Sequence, residues 1–331
     1  MSAPEARAPE TPAAPTDDIQ LSGLTRLLWQ VAGETTGHLS ESCLQLHTQI
    51  EDLLDAPSQT QLQQAQNLWQ QLHARVLLTN PVTGLAATNP SLFAELAQDL
   101  TLVTQQPIAP GFLDRVQNYP YSGIVYDVSL PLNRDTLLNQ HGLTAANEAT
   151  VGLHVLEFLL FGDTGERSVD DFRQANVAGS HSKSSEQPNN RRRTLLQLTS
   201  RLTCDALESL PEHWHPGSTS AHTYNRLASH TQLELWRYAL ASNLQTILDP
   251  EHCEFTQQPC IVSPDAVGSL LSFLAHEHDG YRLLPELNLL SLDAQLESLQ
   301  NNAEVAAAER QQHLTMILKT ISEQAQTPGQ K

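Results

Sequence analysis

From residue 20 to residue 79 the apolar side chains recur mostly three or four positions apart, a spacing that points strongly to helices. Leu21, Leu24, Leu28, Val31, Leu39, Leu46, Ile50 and Leu53 form one stripe, and Leu62, Ala65, Trp69, Leu72 and Val76 form the next. A period near 3.6 marks a helix with one buried face. The alternation of apolar and polar residues expected of a half-buried strand is not sustained anywhere. Leu, Ala and Gln are abundant and aromatic residues make up only 5% of the chain, so Leu and Ala must fill most of the interior.

The same reading along the 331 residues predicts helices over 20–54, 60–79, 91–105, 134–140, 144–161, 191–210, 221–248, 264–279 and 291–327. Asn80–Pro81 is expected to end the second, because the residue before proline avoids the α region. Asn89 and Ser91 both suit the cap of the third, and Gly162 is a natural stop after 161. Residues 106–131 carry Pro107, Pro110, Pro120 and Pro131 among Tyr119, Tyr121 and Tyr126. They read as a long irregular connection, the kind of segment that often carries function. The proline- and alanine-rich start, 1–19, reads as a disordered leader. Residues 166–190, with the stretch HSKSSEQPNN, read as a polar, mobile loop. Arg191, Arg192 and Arg193 read as the solvated start of the next helix. The expected fold is all-α: an N-terminal half (20–165) and a C-terminal half (191–331), each like a four-helix bundle, packed around a cleft.

Charge excludes some functions. There are 18 basic and 37 acidic residues, a net charge of −19. Such a field repels nucleic acid and anionic lipid and attracts cations or a basic protein. No run approaches the roughly 18 apolar residues of a membrane span. Residues 1–20 contain no apolar segment of a secretory signal; the start fits a leader left after a removed signal or lipid anchor, or a cytosolic terminus. Cys43, Cys204, Cys253 and Cys260 include no Cys-x-x-Cys pair. Cys253 and Cys260 flank a short segment without helical pattern, so they read as a loop-closing disulfide in an oxidising compartment or as two thiols in a reducing one.

The most informative stretch is VGLHVLEFLLF, residues 151–161. It is apolar all round, as a buried helix is. His154 and Glu157 are its only ionisable groups, and three positions apart they share a face. Burying them without partners costs several kcal/mol. They can satisfy each other within a structural polar network, ligate a metal, or place Glu157 as a general base beside a metal-bound water. The His-Glu-x-x-His pattern of zinc peptidases is absent. The pair is expected to line an inter-helix cleft with partners from 115–130. His276, Glu277, His278 and Asp279 read as a solvated helix end capped by Gly280, and His213 and His215 as surface residues.

GLHVLEFLLFG is similar to the Gly-x-His-x-x-Glu signature of the imelysin-like family. NLWQQLHARV (67–76), RVQNYPYSGIVYDVSL (115–130) and RRRTLLQLTSRLTCDALESLPEHW (191–214) resemble further family segments in the same order. The resemblance implies a helical protein of the periplasm or an outer-membrane lipoprotein. Its functions there include metallopeptidases and iron-uptake components with a membrane partner protein. It implies that His154, Glu157 and Asp127 bind a metal or small ligand, iron or another divalent or trivalent cation, in a cleft with Gly152, Arg115 and Arg75. A glutamate expected at the end of the second helix is missing, since Leu78, Thr79, Asn80 and Pro81 stand there; either Glu34 substitutes for it or the ligand differs. The implied compartment favours a Cys253–Cys260 bridge. The leading expectation is a non-enzymatic binding protein of a metal-acquisition pathway. The runners-up are a metallopeptidase with Glu157 as base and a partner-binding scaffold.

Overall fold

A computed structural model describes residues 15–176 and 183–248, residue 255, and the pairs 277–278 and 281–282. Among the described residues the fold is all-α apart from one small hairpin. Two long helices, α1 (Pro15–Asp55) and α2 (Gln59–Thr83), form an antiparallel pair. The turn between them holds Pro57, and Ser58 caps α2 by accepting the N–H of Gln61. The short helices α3 (Leu85–Thr88), α4 (Ala94–Thr104), α5 (Pro110–Leu113) and α6 (Arg134–Gln140) follow, and then α7 (Leu153–Phe161). The chain continues through single turns at Val169–Phe172 and Ser184–Glu186 into α8 (Pro188–Trp214), α9 (Thr219–Asn225) and α10 (Ser229–Leu248).

The stripes read from the sequence are buried as expected. Leu24, Leu28, Leu39, Leu46, Ile50 and Leu53 of α1 join Leu62, Trp69 and Leu72 of α2 in one hydrophobic cluster. That cluster also takes in Leu195, Leu196, Leu202 and Leu207 of α8, which packs along α1. Helices from the two sides of residues 166–190 thus share a core. Among the described residues the division into two separate bundles is not evident. A disulfide between Cys43 and Cys204, Cα atoms 5.4 Å apart, bonds α1 to α8 across 161 residues of sequence. Cys253 and Cys260 lie outside the described residues.

Several boundaries differ from the expected ones. The α1 helix begins at Pro15, inside the expected leader. The α2 helix runs through Asn80–Pro81; its last turn is closed by Gly84 N–H donating to Asn80 O at 2.7 Å and is held by buried Thr83, Leu85 and Ala86. In α8 the helix likewise continues past Pro211 to Trp214, whose ring is buried against Trp29 and whose carbonyl accepts the Trp29 indole N–H. Burial of large side chains outweighs a helix-interior proline worth about 3 kcal/mol. Residues 144–152 are turns, not helix, and the expected helix over 221–248 is divided near Arg226. Glu277–His278 pairs antiparallel with Tyr281–Arg282, so this part of the expected helix 264–279 is extended. The expected helix over 291–327 lies outside the described residues.

The Arg191–Arg193 run is not solvated. Arg191 and Arg192 are buried, and Arg193 donates to the carbonyls of Leu54 and Phe172. Within the polar loop Arg167, Asp171 and Phe172 are buried, whereas Asp170, Arg173 and Gln174 are exposed. No described helix is long and apolar enough to cross a membrane.

Candidate functional site

Helix α7 is enclosed on every face, and all nine of its residues are buried. Its start depends on Gly152, which has φ of +118° and would place a Cβ 2.6 Å from the Leu102 carbonyl oxygen. Only glycine allows both that conformation and that approach of α7 to the end of α4. Gly152 N–H donates to Thr203 Oγ1 of α8 at 3.0 Å. Just upstream, His141 Nδ1 accepts the N–H groups of Thr150 and Val151. Burial lowers the pKa of His141, which favours the neutral ring this acceptor role needs. On the α2 side, Trp69 Nε1 donates to Leu153 O at 2.8 Å and Gln66 Nε2 to Leu160 O at 2.9 Å.

Within this frame His154 Nδ1 and Glu157 Oε2 share a hydrogen bond of 3.0 Å. The other carboxyl oxygen, Oε1, accepts the backbone N–H of Phe255 at 3.0 Å. His154 is 4% exposed and Glu157 0%. A third ring, His73 of α2, stands edge-on to His154 with centroids 5.3 Å apart and stacks on Trp69. The described surroundings of the motif are therefore His73, Trp69 and Phe255. His73 was not singled out from the sequence. The signal was present, because it follows Trp69 by four positions on the buried stripe of α2.

The other expected site residues lie elsewhere. Asp127 is exposed, its carboxyl accepting from Ser129 N–H and Oγ, which holds its pKa below the usual carboxylate range. Glu34 is exposed on α1. Arg75 donates to Ser42 Oγ. Arg115, whose side chain is 43% exposed, donates to both oxygens of Asp171. The 115–130 segment is anchored by α8: Arg191 donates to the carbonyls of Ile124, Val125, Asp127 and Leu130.

Behind α7 lies an ionic cluster that the sequence reading did not anticipate. Asp114 accepts from Arg192 Nε at 2.6 Å, Arg192 Nη2 at 3.0 Å, Arg167 Nη1 at 3.1 Å and Arg115 N–H at 2.8 Å. Arg167 also reaches Asp171 and the Phe158 carbonyl, and its guanidinium lies 5.4 Å from the Phe158 ring centroid. Burial alone would raise the pKa of Asp114; the hydrogen bond and charge of Arg192, with the charge of Arg167, hold it below the usual carboxylate range. Through Arg167 the cluster holds α7 at Phe158, while His154 and Glu157 of the same helix meet His73 of α2 and Phe255.

Whether these residues suit a metal can be read from their donors. A zinc or iron site needs at least three convergent His, Cys, Asp or Glu side chains. Among the described residues no such group occurs, and both Glu157 oxygens already accept hydrogen bonds. The described donors do not fit a resident metal. The family comparison bears on the same helix. A family model described as imelysin matches residues 35–250. The chain belongs to the imelysin family. No curated protein matches it.

Proposed function

We propose that this imelysin-family chain is a non-catalytic binding protein rather than a peptidase. The observation that carries this reading is the state of Glu157. Its two oxygens are taken by His154 and by the Phe255 N–H, and the group is sealed from solvent. A general base must reach a water or substrate proton within hydrogen-bond distance; each oxygen of Glu157 is hydrogen-bonded within the protein, and the side chain has no solvent exposure.

The cargo we propose is a cation, with iron first because of the resemblance to iron-uptake components. The net charge of −19 draws cations to the surface. Since the described donors fall short of a three-ligand set, the cargo is best taken as a chelate that brings ligands of its own. The Cys43–Cys204 disulfide suits an oxidising compartment, in keeping with a periplasmic or outer-membrane-anchored protein that hands cargo to a membrane partner. The scaffold reading keeps one specific support: Tyr119 and Tyr121 are 68% and 82% exposed on the segment that Arg191 anchors, an arrangement of aromatic side chains suited to a partner.

Calorimetric titration of the metal-free chain with ferric citrate, paired with elemental analysis after gel filtration, tests the proposal. Saturable uptake near one metal per chain is the expected result. Absence of uptake with iron, zinc or manganese, free or chelated, would remove the cation from the account.

A further inference from the structure

We infer that Glu157 is a clasp: its carboxyl group fastens the chain at Phe255 onto α7, and the Gly-x-His-x-x-Glu motif is built to hold that carboxyl in place. The two residues are 98 apart in sequence, and the bond from Phe255 N–H to Glu157 Oε1 is 3.0 Å and buried. The adjacent residue supplies a second contact, because the Phe158 and Phe255 rings pack with centroids 5.3 Å apart. Phe255 is itself buried.

Each motif position has a part in this. Gly152 lets α7 start against α4. His154 takes Oε2 and so fixes the carboxyl with Oε1 turned toward Phe255. Glu157 offers a strong acceptor to a buried N–H that needs one. The family match ends at residue 250, just before the seated residue, so a motif inside the matched region holds a residue beyond it. A ligand that takes the lone pair facing the Phe255 N–H displaces that donor, so the seat at 255 competes with an occupant of that position on Oε1. This inference goes beyond the binding reading and stands or falls without it.

Hydrogen-exchange mass spectrometry on the full chain tests the clasp. In Glu157→Leu the Phe255 amide should exchange at least tenfold faster, while the amides of α8 keep their wild-type rates. Glu157→Gln should retain most of the protection, since its amide carbonyl still accepts. Unchanged exchange at Phe255 in Glu157→Leu would overturn the inference, as would an increase no larger than that in α8. Should Glu157→Leu fail to fold, Phe255→Pro deletes the donor and leaves the bundle helices intact. Limited proteolysis beside residue 255 should then rise at least tenfold with α8 exchange unchanged, and wild-type cleavage rates there would refute the clasp.

Discussion

Replacing Asp114 with Asn removes one negative charge from the ionic cluster while keeping its shape. In the wild type, Asp114 and Asp171 face the buried Arg167 and Arg192, with Arg115 partly in solvent. After the substitution two buried guanidinium groups share Asp171 alone, so one buried charge loses its counter-charge. Breaking a buried pair in this way costs about 3–5 kcal/mol, a large part of the roughly 5–15 kcal/mol that holds a domain folded. Urea denaturation at pH 7 should show a loss in that range. Restoring the balance should recover part of it: Asp114→Asn combined with Arg192→Met should be more stable than Asp114→Asn alone. The pH dependence has a definite sign. The folded-state pKa of Asp114 lies below its ordinary 3.8, so its contribution is fully present above 3.8 and is lost as pH falls through the lower folded value. The gap between wild type and Asp114→Asn should therefore close on the acid side of 3.8. A loss under about 1 kcal/mol at pH 7, or a double variant less stable than the single, would refute the assigned role of the cluster.

Gly152→Ala should cost about 1–3 kcal/mol from the positive φ, and more from the Cβ approach to the Leu102 oxygen; a melting temperature equal to wild type would show that α7 can start elsewhere. Replacing Cys43 and Cys204 together by Ala opens a loop of 161 residues. In the chain-entropy account this lowers stability by up to about 5 kcal/mol, and urea midpoints that coincide with and without the bridge would contradict it.

The helices were legible in the sequence where one stripe decided them. The α1 and α2 helices follow Leu24 to Leu53 and Leu62 to Val76 because each apolar position has a single buried face to occupy. Pro81 misled the end of α2, since the local rule for proline knows nothing of buried Thr83 and Leu85, and the end of α8 was set short because nothing local announces Trp214 packing on Trp29. The His154–Glu157 pair was legible because two ionisable residues interrupt an apolar helix. Its partners were not: the Phe255 N–H and His73 come from distant segments, and nothing local announces them. The same holds for Asp114, which meets Arg167 and Arg192 at separations of 53 and 78 residues. One signal was available. Three arginines at the start of α8 oppose the helix dipole, which favours acidic residues there, and their cost implied partners beyond the helix. The expected grouping of Asp127 and Glu34 with the motif came from resemblance, and in the structure both side chains are exposed.

The central claim, binding without hydrolysis at Glu157, is tested most directly by incubating the full chain and Glu157→Gln with a labelled unstructured protein substrate, with and without added zinc or iron. The account predicts no cleavage that depends on Glu157, because both carboxyl oxygens serve the protein's own hydrogen bonds. Cleavage by the wild type that disappears in Glu157→Gln, with the helical circular dichroism of the variant unchanged, would contradict it.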